Sequence, residues 1–191
     1  MYKLCKTEQS ALRQRELEHH LLSMMATLRL DEISVSDLCA HAGVSRKAFY
    51  RYFSGKDGAL YALIDHTLLE LDSFLYSENP PQGTGQTEIL ARFFAFWQDR
   101  RALLDALVYS GVTEVFVERM ILHAATNTST NWAFLSGSDE EMGEFANAFC
   151  VSGISSMVLM WHRKEFRTSL EHMVEITVPL LTKPLIEMNH V

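Results

Sequence analysis

A chain of 191 residues has room for one or two domains at about 100–200 residues each. Its 48% hydrophobic and 21% charged content excludes an extended disordered protein, and three widely spaced cysteines without a CxxC pair, Cys5, Cys39 and Cys150, exclude a disulfide framework and fit a reducing cytoplasm. The net charge of −7 is unevenly spread: residues 1–56 hold nine Lys/Arg and six Asp/Glu, residues 57–191 hold eight and eighteen. The window 38–56 carries Arg46, Lys47, Arg51 and Lys56 and no acid. Such a basic head on an acidic body can still engage a polyanion, because a phosphate field is felt over about one Debye length.

Helical periodicity dominates and no run alternates as a strand would, so the expected fold class is all-α. The first helix is expected to open near Thr7, with Leu17, Leu21, Met24, Met25 and Leu28 on one apolar stripe. Ser34 with Asp37 three residues on forms a capping-box pair, so a short helix should run from about Val35 to Ala42. Gly43 then supplies the left-handed residue that ends it. Ser45 caps a second short helix, about Arg46 to Phe53. Ser54 with Asp57 opens a longer one to about Tyr76. Three capped helices with a glycine turn between the second and third make the pattern of a helix-turn-helix. After a Pro/Gly-rich loop at 79–85, helices are expected at about 87–99, 101–109, 112–127, 139–163 and 169–188. Gly111 and residues 127–138 mark breaks, Thr168 with Glu171 a further capping box, and Pro179 a kink or a break. No signal-peptide core opens the chain. The longest mostly apolar stretch, Ala148–Trp161, falls short of the ~20 residues of a membrane span. A cytoplasmic protein with no membrane partner is expected.

The helix after Ser45 carries the chemistry. At about 100° per residue, Phe49 and Phe53 share one buried edge. Lys47, Ala48 and Arg51 point the opposite way, flanked by Tyr50 and Tyr52. That face suits a major groove: cations can donate to guanine or phosphate, and Ala48 permits close approach or contact with a thymine methyl. The tyrosines can hold phosphates on either wall. Lys56 and the amides after Ser54 offer a further phosphate clamp. The competing reading is an ordinary solvated helix face.

The stretch from Ile33 to Leu60, with Ser34, Leu38, Ala42-Gly43-Val44-Ser45, Phe49-Tyr50-Arg51-Tyr52-Phe53, Lys56 and Leu60, resembles the TetR family of transcriptional regulators. The resemblance implies an N-terminal three-helix DNA-binding domain, residues 1–56, and a C-terminal effector-binding and dimerisation domain, residues 57–191. By the family's pattern Tyr50, Tyr52 and Lys56 would hold phosphates and Lys47 and Ala48 would meet bases; Ser34, Ser45, Arg46 and Arg51 complete the expected DNA-binding set. Many relatives have Gly-Thr where this chain has Lys47-Ala48, so operator preference does not carry over. The C-terminal half loosely resembles a TetR subgroup that includes coactivators of dihydroxyacetone kinase operons.

In that half, Trp97, Tyr109, Phe116, Met120, Phe149 and Met157 are candidates for an effector pocket, against the alternative that they are simply core. Small residues on the helix about 139–163 (Gly143, Ala146, Ser152, Gly153, Ser156) permit close helix approach. With Met160 and, from the last helix, Met173, Val174 and Leu181, they are expected to form a two-fold dimer interface. No catalytic set stands out: His19-His20, His162 and His172 lack HExxH or CxxC companions, and no P-loop, GxGxxG or GxSxG occurs. No catalytic residue, metal or cofactor is therefore expected. The combined expectation is a ligand-responsive regulator, a repressor that binds a near-palindromic double-stranded operator as a homodimer and answers to a small-molecule effector. The alternatives are a TetR-like coactivator acting with a partner protein and an all-helical enzyme.

Overall fold

The computed structural model describes residues 1–76, 85–126 and 140–182. Its helices are α1 (Glu8–Met25), α2 (Val35–His41), α3 (Arg46–Phe49), α4 (Lys56–Tyr76), α5 (Gln86–Asp99), α6 (Arg101–Ser110), α7 (Thr113–Thr126), α8 (Glu140–Arg163) and α9 (Leu170–Thr182), with a 3-10 turn at Leu30–Glu32. Among the described residues the only strand-like pairing is an isolated antiparallel bridge between Tyr2 and Phe53. The fold is all-α, as expected. The break expected at 127–138, most of the loop at 79–85 and the part of the final helix expected at 183–188 lie outside the described residues. By contacts the chain divides into two compact units, residues 1–67 with 102–119, and 68–101 with 120–191.

In the first unit the caps set the helix boundaries. Thr7 accepts a hydrogen bond from the Ser10 amide at 3.3 Å and starts α1. Leu17, Leu21, Met24 and Met25 are buried, whereas Leu28 lies beyond the helix end and is exposed. The Ser34 hydroxyl accepts from the Asp37 amide at 3.1 Å while Asp37 accepts from the Ser34 amide at 3.2 Å, so two donors at the start of α2 are satisfied reciprocally. Gly43 has φ +64°, the left-handed conformation the turn requires. α2 packs on α1 and α3 on α2, around Leu21, Met25, Ile33, Leu38, Phe49 and Phe53.

In the second unit α5 buries Leu90, Phe93, Phe94, Phe96 and Trp97 and packs on α8 and α9. Phe94 meets Trp161 edge-on at 5.7 Å. The turn from α8 to α9 places Glu165 and Phe166 both at φ 55°. The Phe166 ring stands edge-on to Trp161 at 4.8 Å, and the Trp161 indole donates to the Thr168 carbonyl at 2.8 Å. The cap of α9 is not Thr168 but Ser169, whose hydroxyl accepts from the His172 amide at 3.2 Å. Pro179 lies inside α9 and does not end it. The segment Gly143–Arg163, with mean hydropathy 1.2, is long and apolar enough to cross a membrane by composition, longer than the sequence reading allowed. It is also two-sided: Val151, Ile154, Val158, Leu159 and Trp161 are buried within the protein, and Gly153 and Ser156 are exposed.

Candidate nucleic-acid interface

The recognition segment begins where expected and ends sooner. Ser45 accepts from the Ala48 amide at 3.2 Å, but α3 closes at Phe49 and residues 50–52 form a turn. Helix-like bonds persist through it, from the Tyr50 amide to Arg46 at 3.0 Å and from the Phe53 amide to Phe49 at 3.1 Å. That continuity preserves the angular order predicted for a longer helix. Phe49 and Phe53 are buried with ring centroids 5.1 Å apart. Arg46, Lys47, Tyr50 and Arg51 are exposed, and Ala48 and Tyr52 are half-buried beside them.

Three cations therefore share the surface above two buried rings. Among the described residues none of the three has a carboxylate partner. Arg46 instead donates to the Ser36 hydroxyl at 3.3 Å and lies 5.9 Å from the Tyr50 ring centroid, which links α2 to α3. A cleft of about 250 Å³ opens at this surface, with Arg13 and Arg51 on its wall beside Ser45, Ala48 and Tyr52. Exposed cations without acidic neighbours keep their full charge for an approaching polyanion.

Lys56 has another task than the one expected. Its ammonium donates to the carbonyls of Leu30 at 2.6 Å, Asp31 at 3.0 Å and Ile33 at 2.9 Å. An ammonium has three protons, and all three are committed. They close the C-terminal end of the 3-10 turn, where unsatisfied carbonyls concentrate negative partial charge. Lys56 thus positions the segment leading into α2 and is not a free phosphate clamp. Ser34 and Ser45 are both occupied as helix caps.

The sequence reading missed a strap across the end of the recognition segment. The Lys3 amide donates to the Tyr52 carbonyl at 2.8 Å, and the Ser54 amide donates to the Met1 carbonyl at 3.0 Å. The Tyr2 hydroxyl donates to Asp65 on α4 at 2.7 Å, and Arg119 on α7 grips the same carboxylate through Nε and Nη2. Burial, then the hydrogen bond to Asp65, pushes the Tyr2 phenol well above its ordinary range. Gly58 lets the strap lie close, since a Cβ there would collide with the Met1 backbone. A glycine inside α4 and a tyrosine beside the chain start are the only sequence signals of this arrangement.

The remaining candidates are scattered. Trp97, Phe116 and Met120 are buried, and Met157 is half-buried, with its sulfur accepting from the Thr177 hydroxyl at 3.8 Å. Tyr109 and Phe149 are exposed, at 53% and 70%, and so line no interior pocket. On α8, Gly153, Ser156 and Met160 are exposed and Gly143, Ala146 and Ser152 are half-buried. On α9, Met173 and Val174 face the protein's own interior and Leu181 is half-buried, while Ile176 is exposed. Burial raises the thiols of Cys5, Cys39 and Cys150, the direction opposite to that of a reactive cysteine.

Residues 30–63, which span the 3-10 turn, α2, α3 and the start of α4, match the profile of bacterial regulatory proteins of the tetR family. In its head the chain carries the sequence signature of the TetR family. The HTH-type transcriptional regulator EthR of Mycolicibacterium smegmatis is 44% identical over 50 residues, 26% of this chain and 23% of that protein. The match therefore spans less than a quarter of the curated relative's length. Over almost the whole chain the TetR fold recurs in solved structures. A TetR transcriptional regulator from Streptococcus agalactiae 2603V superposes with a TM-score of 0.60 at 14% identity, over 92% of this chain and 96% of that one. The dihydroxyacetone kinase operon activator DhaS gives 0.57 at 14% identity, over 90% and 94%.

Proposed function

We propose that this chain is a DNA-binding transcriptional regulator of the TetR family that works as a homodimer. Residues 1–56 are the DNA-binding head and residues 57–191 the effector-binding and dimerising body. The observation that carries the reading is the exposure of Arg46, Lys47 and Arg51, without acidic partners among the described residues, above a buried Phe49–Phe53 pair. In this reading Lys47 and Ala48 meet base edges, while Tyr50, Arg51 and Tyr52 hold the phosphates on either side. The partial likeness to EthR, a transcriptional regulator by name, supports the same class.

An apolar stripe on α8 supports the dimer. Phe145, Phe149, Gly153, Ser156 and Met160 recur at helical spacing on one exposed side, with Phe145 at 69% and Phe149 at 70% exposure. Exposed phenylalanines one turn apart are costly in water, and small residues beside them let a second helix approach. Two heads held by such an interface would enter successive major grooves about 34–36 Å apart. A small effector bound in the body would repress or release by favouring one head spacing over another, which requires different affinities for the two states.

Selection of DNA from a random pool by the purified chain, followed by gel shift, tests the reading. A sub-micromolar complex on a near-palindromic site, weakened by salt, is expected. Absence of any complex until a second protein is added would replace this reading with that of a coactivator. Phe149→Glu should convert the dimer to monomer in analytical ultracentrifugation.

A further inference from the structure

Outside the DNA-facing segment, one pair of side chains is placed in a way the regulator reading does not use. His20 on α1 and His41 at the last position of α2 face each other, with Nδ1 to Nδ1 at 3.1 Å. Their ring centroids are 5.0 Å apart and the planes cross at 81°. The two helices are packed together, so the meeting of the rings is built into the head and does not depend on a loop. In this state one proton lies between the two nitrogens: one imidazole donates and the other accepts.

A divalent cation can take the place of that hydrogen bond once the donating ring carries its proton on Nε2 instead, so that each neutral imidazole offers its Nδ1 lone pair. For metal–nitrogen bonds of about 2.0–2.1 Å, nitrogens 3.1 Å apart subtend about 95–100° at the metal, a cis pair in a distorted tetrahedral, square or octahedral shell. A modest rotation of each ring turns both lone pairs toward one point. Imidazole nitrogen suits Zn²⁺, Ni²⁺ and Cu²⁺, and is a poor partner for Ca²⁺ or Mg²⁺. A depression of about 440 Å³ flanks His20, lined also by Leu12, Arg15, Glu16 and His19, and His41 is exposed, so water reaches the pair. Among the described residues no cluster of three or more His, Cys, Asp or Glu is arranged around one point. Two imidazoles and water therefore make an exchangeable site, not a permanent structural one.

We propose that His20 and His41 form a two-histidine site for a late first-row divalent cation, which staples α1 to the end of α2. The staple sits two residues before the Gly43 turn into α3. An ion bound only by the folded head stabilises it by mass action.

The test uses the full chain, titrated with NiCl₂ and ZnCl₂ by calorimetry and by thermal unfolding in a non-chelating buffer. His20→Gln and His41→Gln are the variants, and His172→Gln, on exposed α9 surface, is the control. One ion per chain is expected in the wild type and the control, with a midpoint that rises with ion concentration. Loss of either ligand should weaken binding at least about tenfold. Circular dichroism without metal should be the same in all four proteins, so a binding loss is not a folding loss. No saturable binding by the wild type at millimolar ion, or wild-type affinity in either variant, would overturn the proposal.

Discussion

Replacing Lys56 with methionine keeps the aliphatic stem and deletes the ammonium that holds the Leu30, Asp31 and Ile33 carbonyls at 2.6, 3.0 and 2.9 Å. A hydrogen bond from a charged donor contributes about 1.5–3 kcal/mol, and a carbonyl left buried without a partner costs about 1–3 kcal/mol. The Asp31 bond is exposed and water replaces it at little cost; those to Leu30 and Ile33 are partly buried. Counting those two, and allowing for partial rehydration, the loss should be about 2–4 kcal/mol. For a chain of this size each kcal/mol lowers the unfolding midpoint by about 2–4 °C, so Lys56→Met should melt roughly 5–15 °C lower. Thermal unfolding followed by circular dichroism measures the shift. DNA titrations at several salt concentrations then measure the slope of log K, which should match the wild type. An unchanged midpoint together with a slope reduced by about 1 would show the ammonium on a phosphate and refute the reasoning.

Gly43→Ala places a Cβ in the left-handed region with no atom within 4 Å to collide with. The cost is therefore purely conformational, about 1–2 kcal/mol in urea unfolding; a neutral substitution would mean the turn relaxes. Lys47→Ala should change base preference in a selection experiment, whereas a uniform loss across all sequences would move Lys47 to the phosphate group. Hydrogen bonds from the Ser34 hydroxyl and amide hold the Asp37 carboxyl below the usual aspartate range. Its contribution to stability is thus complete above the unfolded-state pKa and disappears as pH falls through the lowered folded value. Asp37→Asn should flatten that part of the acid unfolding curve, and an acid limb as steep as the wild type's would count against the cap.

Local signals were readable because their partners lie three residues away. Ser34, Gly43 and Ser45 act where they stand, and the Phe49–Phe53 edge follows from helical spacing. Where α3 ends, the chain meets partners far away in sequence, the bridge from Tyr2 to Phe53 and the Lys3–Tyr52 bond, which local spacing does not announce. Lys56 was misread because a cation's charge does not say which acceptor it will find. Met173 and Val174 follow the amphipathic pattern of α9 correctly, but the pattern says only that a face is covered, and α5 packs on that helix. Glu18 is the opposite case. It lies on the buried side of α1, held by His66 at 2.9 Å, where a hydrophobicity pattern predicts an apolar residue. His20 and His41 are 21 residues apart in sequence, so no motif announces their meeting.

The hairpin that joins α8 to α9 sets an uneven tolerance to substitution. Glu165 and Phe166 both adopt φ 55°, a conformation that asparagine or glycine reaches with less strain. Glu165 is solvent-facing, whereas the Phe166 ring is held against Trp161. In a randomised library sorted for folded protein, the first position should drift toward asparagine and glycine, while the second keeps an aromatic ring despite its backbone.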